Sequence, residues 1–403
     1  MLQNAYYVKK GPILARFSAL RDAVEFATAI TIPEVDGRET DNRVKFKARL
    51  PDNLLCYILA ISNVVRTKGF PLELSQGLSF ETRAKLFSSK LKRDRWFLLA
   101  SILRSDLRTI EDLVNALDEL ESVLHDGVPP HKIRLAITRE EFESRFKPYI
   151  SEFNFTWEKY LEEKKKNLSR KTLQILKSAV LECYRRFYQT YWKSRSRTLR
   201  YLICSLLEDA VAVLAPLKRL EALLNAKFTE PFLEVYPIDV FRTGGERYGV
   251  YPNRITCRSD PSVALEIYID VAHEAAHLLV KGWEAKFCDL VSEIALSVNC
   301  SSRIQNLLYT IEEHIVAVIQ HKVDLLYYGA KRRTHPYMFS TAFILGEKAW
   351  REVEETYYLF KLDEFIKLYL EKLKASQKAI EQLRKEIQLF YSQETPRSLQ
   401  HIY

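Results

Sequence analysis

Apolar residues recur at three- and four-residue spacing along most of the chain, the period of a helix with one buried face. Residues 52–65 (DNLLCYILAISNVV) read as a compact apolar helix after Pro51, with Asp52 at the N-cap. Residues 91–124 read as two more, with Thr109-Ile-Glu-Asp112 near a helix start, and Asp126-Gly-Val-Pro-Pro-His131 as a turn. Thr138-Arg-Glu-Glu141 has the form of a capping box, and helices with aromatic stripes follow it up to Ala226.

The pattern changes near residue 229. Segments 232–241 (FLEVYPIDVF) and 248–257 (YGVYPNRITC) are rich in β-branched and aromatic residues and flank Gly244 and Gly245. Two short strands around a glycine turn predict a hairpin. Helix resumes near Pro261 and continues, with breaks, to about residue 391. The last helix is expected over 362–391. Ile366, Leu373, Ile380 and Ile387 share one heptad position there, while Tyr369 and Ser376 dilute the position of Leu383 and Phe390. A packed amphipathic helix fits this better than a coiled-coil arm. No internal repeat is found.

Of 403 residues 47% are hydrophobic, enough for a core, and 11 Gly with 14 Pro are too few for a collagenous or low-complexity chain. The excess of 61 basic over 52 acidic residues permits an anionic partner without demanding one. The N-terminus lacks a charged stretch followed by an apolar one, and the most apolar window, 201–217, contains Glu208 and Asp209. No secretory signal and no membrane span are expected. The six Cys include no CxxC pair, so buried free thiols in a reducing cytoplasm are expected.

One motif carries chemistry. Val271-Ala-His-Glu-Ala-Ala-His277 contains His-Glu-x-x-His. Residues four apart share a helix face, so His273 and His277 can hold one zinc ion. Glu274 lies beside them, placed to take a proton from a zinc-activated water. Leu265, Ile267, Ile269, Ala272, Ala275 and Ala276 make the segment apolar, and polar groups inside such a helix need partners. At this composition a chance match is expected at most about 0.02 times. The alternative is a pair of core histidines satisfied by hydrogen bonds.

The longer zincin signature fails, because its Gly and third His positions hold Val280 and Trp283. The third ligand is therefore expected to be a carboxylate on a later helix. Glu313 is preferred because it shares a face with the small Ala317; Glu312, on the Ile311, Ile315 and Val318 stripe, is the alternative, followed by Glu293 and Asp289. An ordinary exposed helix charge is the bland reading of either glutamate.

On His273-Glu274-x-x-His277, a downstream Glu and the extended segment 249–258, the sequence resembles the gluzincin-type zinc metallopeptidases over about residues 230–345. The resemblance implies a zinc cofactor, peptide-bond hydrolysis of a peptide or protein substrate, and an edge strand that binds substrate backbone antiparallel. Two features depart from it. Thirty-five residues separate His277 from Glu313, a longer gap than usual, and Ala317 replaces the Asp that often follows the ligand Glu by four residues and bonds a metal-binding His. The oxyanion would lean on the metal and on a Tyr or His donor. Tyr328 and His335 are the candidates, with Tyr327 and Tyr337 beside them, whereas His314 and His321 read as structural or exposed.

The expected fold class is mainly α: a helical N-terminal region plus a zincin-like α+β catalytic domain with a short hairpin and the HExxH helix. The expected domains are 1–137 (helical), 138–228 (basic helical segment), 229–345 (metallopeptidase) and 346–403 (C-terminal amphipathic helices). Between Lys159 and Arg200 thirteen Lys or Arg face three Glu, interleaved with Tyr184, Phe187, Tyr188, Tyr191 and Trp192. Lys164–Arg200 is thus a candidate surface for an anionic partner, single-stranded nucleic acid among them. The competing reading is a solvated helix face with its aromatics in the core. The leading expectation is a zinc-dependent hydrolase; the alternative is a helical nucleic-acid-associated or scaffold protein with a structural or absent metal.

Overall fold

The computed structural model describes residues 6–10, 13–17, 40–65, 67–68, 76–103, 106–129, 133, 135–242, 244–245, 249–250, 254–260, 264–299, 304–328, 340–357 and 359–391. They are mainly helical. The elements of the first half are β1 (Tyr6–Lys10), β2 (Ile13–Phe17), β3 (Val44–Phe46), α1 (Leu50–Ile61), β4 (Thr67–Lys68), α2 (Phe80–Ser88), α3 (Arg95–Ile102), α4 (Ile110–His125), α5 (Arg139–Phe153), α6 (Trp157–Asn167), α7 (Arg170–Cys183), α8 (Gln189–Arg197), α9 (Cys204–Leu214) and α10 (Pro216–Leu224). There follow β5 (Leu233–Pro237), β6 (Gly244–Gly245), β7 (Gly249–Val250), β8 (Arg254–Cys257), α11 (Ala264–Val280), α12 (Trp283–Lys286), α13 (Cys288–Val298), α14 (Ile304–Tyr328), α15 (Ser340–Thr356), α16 (Leu362–Ala375) and α17 (Gln377–Tyr391).

The chain divides into two compact units. One comprises 1–138, 158–218 and 228–275; the other comprises 139–157, 219–227 and 276–403. The continuous helix α11 contributes residues to both.

In the first unit a four-stranded sheet has the order β3-β5-β8-β7. Here the structure corrects the expected hairpin. The two extended segments meet as β5 and β8, and they pair in parallel, Val235 opposite Ile255. The antiparallel pair is local, between β7 and β8. Two features explain the difference. A 3-10 turn at Asp239–Phe241 ends β5, and β6 pairs with β4 instead of forming a tight turn. Every residue of β5 is buried, the pattern of a strand covered on both faces and not of a half-solvated hairpin.

Helix α1 packs into this unit with nearly every residue buried. Its N-cap is Arg49 and not Asp52, because Pro51 already occupies the first turn. The Asp52 carboxylate instead accepts from the Arg49 guanidinium at 2.7 Å. Asn53 bonds the Pro237 carbonyl at 3.2 Å and accepts from the Asp239 amide at 2.7 Å, fixing α1 to the end of β5. Thr109 and Asp112 form a reciprocal capping box at the start of α4.

The basic stretch belongs to one helical run. Helices α7, α8 and α9 join through two π-helical stretches, Tyr184–Tyr188 and Thr198–Ile203, with αR backbone at every junction. Tyr188 and Trp192 are buried and stack, with Phe187 stacked on Tyr57 and Tyr191. The aromatics therefore face the interior. Several cations serve structural pairs, Lys164 with Asp94 at 2.6 Å, Arg195 with Asp239 at 2.8 Å and Arg186 with Glu182 at 2.7 Å. Arg185, Lys193 and Arg197 point outward and make no ion pair among the described residues.

In the second unit α14 carries a long buried face. His314 is structural: it meets the Tyr369 hydroxyl at 2.9 Å and Glu386 at 2.7 Å, all three buried. The expected single helix 362–391 is two helices. Ser376 takes an extended conformation (φ −106°, ψ 102°) between α16 and α17. Ile366, Leu373, Ile380, Leu383 and Ile387 are buried, and so is Tyr369. Gly346 of α15 lies so close to Val318 of α14 that a Cβ there would clash.

Among the described residues no helix is long and apolar enough to cross a membrane. Among the described residues Cys56, Cys183, Cys204, Cys257 and Cys288 form no disulfide, and all but Cys288 are buried.

Candidate metal centre

Helix α11 follows β8 in the chain. Ile267, Tyr268, Val271, Ala272, Ala275 and Ala276 bury most of its circumference. His273 and His277 lie one turn apart on the less buried side, and Glu274 is buried. No Gly or Pro interrupts the helix, so the spacing of the two imidazoles is fixed by its rise.

Ligand atoms of His273, His277 and Glu313 lie within 4.8 Å of one another. Nε2 of His277 is 3.6 Å from Oε1 of Glu313. Two ligands each about 2.0–2.1 Å from a tetrahedral ion sit about 3.3 Å apart, so this pair is already near ligating separation. Two neutral imidazoles and a carboxylate are the donor set of a catalytic zinc site with one open position, and the residues present fit a zinc ion.

Glu312 addresses the other side of the same ring. Its Oε1 is 2.7 Å from Nδ1 of His277. Its Oε2 accepts from the Trp283 indole N–H at 3.3 Å and lies 3.6 Å from the Arg145 guanidinium. Burial would raise the Glu312 pKa, but the hydrogen bond to His277, the charge of Arg145 and the Trp283 donor outweigh it and hold the carboxyl below its usual value. Arg145 also pairs closely with Glu284, which is only 1% exposed. Burial drives Glu284 upward, Arg145 opposes it, and the net shift is upward. The Tyr149 hydroxyl donates to the Glu284 carbonyl at 2.7 Å, and Lys281 pairs with Glu141 at 3.1 Å, so helix α5 anchors this corner of the second unit.

The other sequence candidates lie elsewhere. Glu293 is exposed and pairs with Lys374 at 2.6 Å, and Asp289 is exposed. Neither joins the His273, His277 and Glu313 group. Tyr327 and Tyr328 end α14, with side chains outside the described residues; His335 and Tyr337 lie outside them altogether. His321 is 3.8 Å from Glu347, and burial lowers its pKa.

Sequence reasoning missed Arg145 and Trp283. A Glu-Glu pair in an apolar helix does signal that donors must come from somewhere. Nothing local to Arg145, in a helix far upstream, marks it as the source.

No protein-family model, no curated protein and no solved structure matches the chain.

Proposed function

We propose that the chain is a zinc-dependent hydrolase, a peptidase of the gluzincin type acting on peptide or protein substrates. The observation that carries this is the gathering of His273, His277 and Glu313 into one donor group, with Glu274 of the same helix beside it. Zinc, when bound there, supplies Lewis acidity and lowers the pKa of a coordinated water. Glu274 accepts the proton of the attacking water and returns it to the leaving amine. The buried, apolar frame of α11 limits competing hydration around that carboxylate. Among the described residues strand β7 is an edge of the sheet, as a strand that takes up extended substrate must be. The lack of a disulfide among the described cysteines supports a cytoplasmic setting.

The test is metal content and turnover together. Purified wild type is expected to hold one zinc per chain, and His277→Ala is expected to lose it. Glu274→Gln is expected to keep the metal and lose peptide hydrolysis. A wild-type chain that takes up no zinc when resupplied without chelator would end this reading.

A second reading has its own observation. Arg185, Lys193 and Arg197 form an outward row on α7–α9, and no acidic residue occurs between Glu182 and Glu208. This row suits a phosphate backbone, contacted by charge and not by stacking. Binding that weakens steeply with salt, and is lost on replacing these three cations by Gln, would support it.

A further inference from the structure

We propose that Glu312 is a positioning residue for His277, and that Trp283 and Arg145 hold it in that role. The inference rests on the metal reading above and assigns work to residues outside the ligand set.

A neutral imidazole carries one N–H and one lone pair. The nitrogen that faces a metal must offer the lone pair, so the other must bear the proton. In His277 Nδ1 lies 2.7 Å from a Glu312 oxygen, while Nε2 faces Glu313 at 3.6 Å. An ionised carboxylate only accepts, so Glu312 keeps the proton on Nδ1 and leaves the Nε2 lone pair toward Glu313. It also fixes the plane of the ring.

Glu312 is itself held from two directions. The indole of the buried Trp283 donates to its second oxygen at 3.3 Å. The Arg145 guanidinium lies 3.6 Å from the same oxygen and is tied down by the buried Glu284. A swing of Glu312 toward the metal position would give up the His277 bond and both of these contacts. Glu312 and Glu313 sit about 100° apart around α14, which lets neighbours in sequence address different nitrogens of one ring. A carboxylate one residue before the ligand thus occupies the role that Ala317, four residues after it, cannot fill.

The test is zinc affinity by chelator competition, beside the visible spectrum of the cobalt-substituted protein and the melting temperature of the metal-free protein. Glu312→Ala is expected to weaken zinc binding about 10–100-fold, the usual cost of losing such a partner. Glu312→Gln keeps an acceptor oxygen and should fall between wild type and Ala, with a wild-type-like cobalt spectrum. Trp283→Phe should weaken zinc binding several-fold, and it decides the matter if Glu312→Ala fails to fold. Unchanged affinity in Glu312→Ala and Trp283→Phe, with zinc lost in Glu313→Ala, would overturn the positioning role and leave the metal site standing. Complete loss of zinc in both Glu312 variants would make Glu312 a ligand, which also overturns it. No zinc in the wild type would remove the metal reading and this role together.

Discussion

Glu312 and Glu313, adjacent on helix α14, face the two different nitrogens of His277, at 2.7 Å from Nδ1 and 3.6 Å from Nε2. Two chemically identical side chains thus have unlike surroundings, set by which face of the helix each occupies. On the proposed metal site, removing Glu313 should cost more than removing Glu312. We expect Glu313→Ala to weaken zinc binding well beyond the roughly 10–100-fold cost of losing an outer partner. Side-by-side chelator titrations check the order; equal losses would contradict it.

Glu274 is buried beside the donor group but is not one of its three members. Its replacement by Gln should therefore separate binding from chemistry. Zinc content should stay near wild type, while kcat on a cleaved peptide falls about 10²–10⁴-fold, the range for a positioned general base. Loss of zinc alongside activity would count against the assignment.

Gly346 and Val318 mark the closest approach of α15 to α14. Gly346→Ala would drive its new methyl into the Val318 side chain. Overpacking of this kind costs about 1–3 kcal/mol, and the melting temperature should fall accordingly. Val318→Ala makes room, so the double variant should lose less than the sum of the single changes. Additive losses in thermal denaturation would show that the two residues do not share the space.

Asp41 supplies a pH signature for the first unit. Burial raises its pKa, but the side-chain and backbone hydrogen bonds from Arg43, the Arg43 charge and the Lys218 amide outweigh this and hold it below the usual carboxylate value. A depressed carboxyl contributes stability that is full above its unfolded pKa of about 3.9 and is lost as pH falls through the lower folded value. Asp41→Asn should cost about 1–3 kcal/mol near neutrality and flatten stability below pH about 4. Urea denaturation across that range tests both; an unchanged acid limb would refute the assignment.

Much of this was legible in the sequence where the signal is local. Four-residue spacing put His273 and His277 on one side of α11, and Thr109 with Asp112 marked the start of α4. The signals that misled were those that tertiary pairing overrides. Segments 232–241 and 248–257 look like hairpin partners because each is β-rich, yet β-richness carries no strand direction. Ser376 diluted a heptad because it is the point where α16 stops. Arg145 was invisible because its partners, Glu284 and Glu312, lie 139 and 167 positions further along the chain.

The two π-helical stretches between α7 and α9 bear on how this chain tolerates changes in length. Each lets the helix hold a residue that strict α geometry would not accommodate. Deleting one residue within Tyr184–Tyr188 or Thr198–Ile203 would return that turn to the α form and keep the buried side of the downstream segment inward. The same deletion within α8 would rotate everything after it by about 100°, carrying Leu199 and Ile203 from the core toward solvent. These turns are places where the longest helical run among the described residues can shorten without losing its inward face.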